Sequence, residues 1–249
     1  MKTKNKTIMK ANIRKKLIGT SSAKTEKGEK ENYLTGILYL APYKIAGFNV
    51  YPNASKGCAA ACLYNAGRGK FNSVQQARIN KTLFLKEDKN NFLINIYLDI
   101  QSIIRKAEKK NMIPVIRLNG TSDLPFENFK LNDKSLFDHF SNVQFYDYTK
   151  SHKRMIKYLS GGMPSNYHLT FSASEDNSLL VLDVLKQGGN VSVVFDELPT
   201  NWNGYKVIDA DKTDLRFSDP ENVVCGLTFK GTRKEKEAAV ETGFVYQSK

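Results

Sequence analysis

The sequence predicts an α/β protein: a single mostly parallel (β/α) barrel-like domain, complete or imperfect in the TIM manner, behind a basic N-terminal arm. Three observations predict it. From Tyr33 onward, short apolar runs alternate with helix-like segments at the spacing of βα units. Polar residues collect just past the ends of those apolar runs. The 249-residue length suits one barrel, and no Pro/Gly/Ser-rich linker interrupts residues 33–249. Roughly seven or eight strands of this kind suit a barrel, with a doubly wound open sheet as the alternative. The expected division is an arm over residues 1–32 and a barrel-like domain over 33–249.

The elements follow in order. "YLTGILYLAP" (33–42) reads as a strand stopped by Pro42, and "VQQARINKTLFLKED" (74–88) has helical composition. "FLINIYLDIQSIIRKAEKK" (92–110) is an amphipathic helix, because Phe92, Ile96, Ile100, Ile103 and Ala107 recur at helical spacing with Asp99, Gln101, Arg105 and Lys109 elsewhere. "MIPVIRLNG" (112–120) is a strand ended by Asn-Gly. The alternation continues with a helix at 135–140, a strand at 143–149, a helix at 152–159 and a strand at 166–172. A helix over 174–189 opens on Ser174 as its N-cap and ends in glycines. Strands at 190–196, 205–211 and 223–229 follow, with a weaker one at 243–247.

Charge is uneven. The formal net charge is +13, and residues 1–30 hold ten Lys/Arg against Glu26 and Glu29. A basic segment poor in large apolar residues meets polyanions by releasing counterions from phosphates. Lys10, Arg14, Lys15 and Lys16 are its candidate nucleic-acid contacts. No apolar run approaches a membrane span, and the basic N-terminus lacks the apolar core of a secretory signal. Three cysteines argue against a disulfide framework and for a reducing, cytoplasmic setting.

In a parallel barrel all strand ends that carry function share one face. The carboxylates at those ends, Asp123, Asp147, Glu175, Asp209 and Asp211, are the candidate acid/base or metal-binding groups. Arg117, Asn119, Ser122, Tyr148 and Ser172 are candidate substrate contacts. Arg117 is a charge inside an apolar strand, so it needs a carboxylate or a ligand anion, and Asp147 on the next strand is the expected partner.

"NVYPNASKGCAAACLYNAGRG" (49–69) admits several readings. Cys58 and Cys62, one helical turn apart, are either weak metal-ligand candidates or small apolar packing groups. Cys225 sits in a predicted strand, and His139, His152 and His168 have no zinc-finger spacing. "NAGRGK" (65–70), with Arg68 and Lys70, is either a plain turn or a phosphate site built from backbone N–H groups and two cations.

Several long motifs occur in order: "LYLAP" (38–42), the 49–69 stretch, "VQQAR" (74–78), "VIRLNGTSDLPFE" (115–127), "FYDYTK" (145–150), "NYHLTFSASE" (166–175) and "DLRFSDP" (214–220). On these the chain resembles the phage "gene product 88" family over about residues 34–247. The resemblance implies a cysteine at the position of Tyr51, giving an early three-cysteine loop similar to that of radical S-adenosylmethionine enzymes. It makes an iron–sulfur cluster or S-adenosylmethionine conceivable in relatives. No cofactor is firmly implied here, because one ligand is replaced by Tyr51. The resulting expectation is a phage or mobile-element protein of nucleic-acid metabolism in the host cytoplasm. It is either a barrel enzyme, active or decayed, that modifies a base or nucleotide, or a non-catalytic nucleic-acid-binding factor on such a scaffold.

Overall fold

A computed structural model describes residues 14–60 and 67–248. Its main sheet has nine strands in the order β1-β2-β3-β6-β7-β8-β11-β10-β9. These are β1 (Ile18–Gly19), β2 (Tyr33–Leu38), β3 (Ile113–Arg117), β6 (Gln144–Thr149), β7 (Tyr167–Ser172), β8 (Val191–Phe195), β9 (Asn201–Trp202), β10 (Tyr205–Asp209) and β11 (Val224–Thr228). β4 (Lys130–Leu131) and β5 (Lys134–Ser135) form a separate two-stranded ribbon.

The barrel expectation is corrected by this topology. The sheet is mixed: the ladders from β2 through to β10 are parallel, but β1 and β9 add antiparallel edges. Closure would require the first and last strands to pair. Instead β11 inserts between β8 and β10, and no ladder among the described residues joins the β9 edge to the β1 edge. Length and βα spacing do not encode that final pairing, so the open alternative could not be dismissed from them.

The extent of the arm is also corrected. Residues 1–13 lie outside the described residues, but residues 14–32 pack on the domain. Leu17 and Ile18 are buried, and both of their N–H groups donate to the Asp99 carboxylate at 2.7 and 3.0 Å. Arg14 pairs with the same carboxylate at 2.7 Å. Helix α1 (Ala23–Lys30) begins at a Ser22–Thr25 capping box. The lysine-rich composition hid two apolar residues sufficient to start an edge strand.

Seven further helices lie among the described residues: α2 (Lys56–Ala60), α3 (Asn72–Glu87), α4 (Lys89–Lys109), α5 (Leu136–His139), α6 (His152–Leu159), α7 (Ser178–Lys186) and α8 (Arg233–Glu241). Side chains alternate across each strand. Ile116, Phe145, Leu169, Phe171 and Val193 join the large core beneath α4, α6 and α7. On the other face, Val115 and Tyr146 pack with Leu215 from the segment that contains the short turn Arg216–Ser218. The opening expected at Ser174 is displaced: Asn177 holds the α7 N-cap position, and its side chain accepts from the Ser174 N–H and donates to the Ser172 carbonyl. The strand expected at 243–247 is reduced to one bridge, Phe195 to Tyr246.

Candidate functional site

Three groups of polar residues surround the ends of β2, β3, β6 and β7. The first lies beneath the helices. Asp123 accepts from the Thr149 hydroxyl, the Lys150 N–H and the Arg154 guanidinium. Arg154 also makes a two-pronged pair with Glu127, both bonds at 2.9 Å. Asp147 accepts from the Asn119 N–H at 2.7 Å and the Tyr167 hydroxyl at 3.0 Å. Ser122 donates to the Asn119 side chain at 2.8 Å. Burial raises the Asp123 carboxyl above the ordinary range and pushes Asp147 up to about 7, against the opposing pull of Arg117. All of these groups but the part-buried Arg154 are buried, and the carboxylates are donor-matched, as a structural network requires.

The second group is a charge cluster on the opposite face. Arg117 is only 5% exposed, and its partner is Asp214 at 2.8 Å, which corrects the expected pairing with Asp147. The reason is the pleat. Arg117 points to the face covered by residues 213–218, whereas Asp147 on β6 points toward the helices. Lys24 from α1 meets the same Asp214 carboxylate at 3.0 Å. Burial opposes ionisation of Asp214, yet Lys24 and Arg117 overcome it and hold the carboxyl well below its usual range. The Arg117 guanidinium lies 4.7 Å from the centre of the Tyr148 ring.

The third group brings the cysteine loop to the strand ends. Glu175 accepts from the Gly57 N–H at 2.6 Å and from the Ser55 hydroxyl at 2.7 Å, so it caps the start of α2 from a distant segment. A side chain at position 57 would stand 2.9 Å from that carboxylate, so glycine permits the approach. The Lys150 ammonium donates to the Ser172 hydroxyl at 3.1 Å and the Ala173 carbonyl at 2.7 Å. Burial lowers its pKa, while Cys58, Asp123 and Glu175 act the other way.

Beside the second group opens a cleft of about 810 Å³. Ser21, Ser22 and Lys24 at the start of α1, Ser73 and Val74 at the start of α3, and Arg78 and Lys81 one and two turns further along α3 line it. Tyr39, Gly67, Gly69, Gly120 and Thr121 complete the wall, and Glu26 is also part of the lining. The α3 N-terminus has no side-chain cap, because Phe71 occupies its N-cap position. Arg78 stacks over Tyr39 at 5.0 Å. Burial lowers the pKa of both Lys24 and Lys81.

The structure thus separates the residues that the sequence grouped. Asp209 is exposed, and Asp211 is held by Thr228 and Lys230 beyond β10 and β11, apart from the Asp123 and Asp147 network. Arg14 is bound to Asp99, the Lys15 ammonium lies 4.5 Å from the Phe84 ring centre, and Lys16 and Lys70 are exposed. Lys10, Cys62 and the Arg68 side chain lie outside the described residues. Sequence reasoning missed Lys24, Tyr39, Arg78 and Lys81 as site residues, and it reached Asp214 only as one of the polar residues past the 205–211 strand. Only the density of Ser and Lys at 21–24 signalled a helix start of this kind.

The resemblance implies an iron–sulfur cluster in relatives. Such a cluster is held by cysteine thiolates. Cys225 is buried on β11, its thiol donates to Asp219 at 3.3 Å, and burial pushes its pKa up to about 12. With Cys225 engaged there and Tyr51 in the loop, Cys58 and Cys62 are too few to hold a four-iron cluster, and the residues do not fit one. No group of three or more His, Cys, Asp or Glu among the described residues could hold a metal ion.

An open mixed α/β sheet with a cationic cleft at its strand ends defines the class. The chain belongs to the phage gene product 88 family, whose model matches residues 10–247. No curated protein and no solved structure matches it. No helix among the described residues is long and apolar enough to cross a membrane.

Proposed function

We propose that this protein acts in phage nucleic-acid metabolism by holding the phosphate of a nucleotide or nucleic acid in the cleft between α1 and α3. One observation carries the reading: two helix N-termini and three cations, Lys24, Arg78 and Lys81, converge on a single cleft. The α3 N-terminus, which no side chain caps, offers unpaired N–H groups to an anion, and the dipoles of both helices favour one, although Ser22 caps α1. Lys81, whose charge is penalised by burial, gains from an anionic ligand, and Lys24 adds to the field beside its Asp214 partner. Ser21 and Ser73 add hydroxyl donors.

The test is oligonucleotide binding followed by fluorescence anisotropy over a range of salt concentrations. Arg78→Ala is expected to weaken binding evenly across sequences and to lower the salt slope by about 1. Unchanged affinity and slope would remove the cleft from the binding site.

A second reading, an enzyme that modifies a base or nucleotide, is favoured by the approach of Lys150, Cys58 and Glu175 at the strand ends. Mass spectrometry of nucleotides incubated with the protein tests it. A mass change that Lys150→Met abolishes supports it, and unaltered nucleotides under all conditions count against it.

A further inference from the structure

We infer that the ligand of the cleft is single-stranded nucleic acid, with Phe71 as the platform on which one of its bases stacks. The inference rests on the phosphate reading of the cleft and names the substrate class. Phe71 is 60% exposed, the only exposed phenylalanine among the described residues. It lies between cleft residues on both sides in sequence, Gly67 and Gly69 before it and Ser73 and Val74 after it. It also occupies the N-cap position of α3, where Ser, Thr, Asp or Asn would stabilise the helix and where Phe71 makes no side-chain cap hydrogen bond. A residue that neither caps its helix nor enters the core is free to serve a ligand.

The chemistry of the two features is complementary. Backbone phosphate binds where the cations and helix N-termini meet, whereas an exposed apolar ring two residues along the chain from both Gly69 and Ser73 of the cleft wall has nothing to offer phosphate. A nucleobase has a π-face that stacks on an aromatic side chain without regard to sequence. In a duplex those faces are already stacked within the helix, so an exposed phenyl ring selects for unpaired bases. Lys70, exposed and next to Phe71 in sequence, adds a cation to the same segment.

The experiment compares fluorescein-labelled oligothymidylate and oligouridylate with a duplex of equal length, using inorganic tripolyphosphate as competitor. Phe71→Ala and Phe71→Trp are measured beside the wild-type chain, and thermal melts confirm folding. The expected result is tighter binding of both single strands than of the duplex. Phe71→Ala should lose about tenfold for the single strands, in the range of one stacked base. It should leave duplex and tripolyphosphate binding unchanged, and Phe71→Trp should restore or improve the single-strand affinity. If tripolyphosphate displaces the oligonucleotide but Phe71→Ala binds it as well as the wild type, or the duplex binds equally, this inference falls while the phosphate reading stands. If tripolyphosphate displaces nothing and Arg78→Ala has no effect, the phosphate reading itself falls. A preference for only one of the two single strands identifies whether DNA or RNA is held.

Discussion

The Asp123–Glu127–Arg154 cluster and the α1/α3 cleft are both rich in charge, but they use it in opposite ways. In the first, one arginine faces two carboxylates, and hydroxyl and backbone donors complete the shell. In the second, Lys24, Arg78 and Lys81 share a wall with Glu26, and two helix N-termini add to the same sign. A closed cluster can hold elements together but has no donor left for a ligand. A cleft with cations in excess keeps a field that attracts anions. The comparison teaches that Asp123, Asp147 and Glu175 spend their charge inside the fold, while the cations around α1 and α3, though Lys24 is held by Asp214 and Lys81 by the Leu17 carbonyl, line an open cleft.

The largest effect should come from breaking the closed cluster. Arg154→Leu strands Asp123 and Glu127 in a buried site without their counter-charge. Removing one member of a buried ion pair costs about 3–5 kcal/mol. Urea denaturation is expected to report a loss of that order. A loss under about 1 kcal/mol would mean that water reaches the cluster and that the contrast with the cleft is weaker than drawn.

Next in size is a pH dependence within the same region. Burial raises the Asp147 carboxyl to about 7 in the folded protein, whereas the unfolded chain keeps it near 3.9. The folded state therefore binds the proton more tightly. That contribution to stability is fully present below about pH 4 and is lost as pH rises to about 7. The stability of the wild type minus that of Asp147→Asn should fall across this window and then level off. A flat difference would show that Asp147 is ionised in the fold, supported by its Asn119 and Tyr167 donors.

Much of this contrast could not be read from sequence, and the reasons are physical. Local periodicity is written in the chain: the helix expected at 152–159 matches α6, and the strands at 143–149, 166–172, 190–196 and 223–229 each fall within a residue of those observed. Which strands pair at the edges is a long-range property, so the barrel expectation failed where β11 slips between β8 and β10. At the site, Asp123 and Asp147 were recognisable as strand-end carboxylates, but their donors come from residues up to 31 positions away. Arg117 signalled a buried counter-ion by its place in "PVIRLNG", yet the partner, Asp214, is 97 residues distant. The cleft was the least legible feature, since its two walls are separate helices and the first had been assigned to a loose arm.

A smaller effect on stability, but a larger one on binding, is expected in the cleft. Lys81 donates to the Leu17 carbonyl at 2.6 Å, a single bond to a part-buried group. Lys81→Met keeps the aliphatic stem and should cost only about 1 kcal/mol in urea denaturation. Oligonucleotide affinity should fall together with the salt slope, as for Arg78→Ala. The comparison breaks if Lys81→Met destabilises as strongly as Arg154→Leu, because the cleft lysine would then be a structural strut.

The smallest effect should come from Asp211, a carboxylate that sequence position alone grouped with Asp123 and Asp147. Its Oδ2 accepts from the Thr228 N–H at 2.9 Å and the Thr228 hydroxyl at 2.6 Å, and it pairs with Lys230 at 2.8 Å. The Lys230 side chain is half-exposed, so solvent screens the pair. Asp211→Asn retains a carbonyl oxygen for the Thr228 N–H and removes only the charge. The expected cost is about 0.5 kcal/mol, the ordinary value of a surface ion pair. Oligonucleotide binding should be unchanged, since Asp211 belongs to neither the closed cluster nor the cleft. A small stability change together with a large loss of binding or of any nucleotide modification would return Asp211 to the functional site. It would also show that the active surface extends past β10 to the far edge of the sheet.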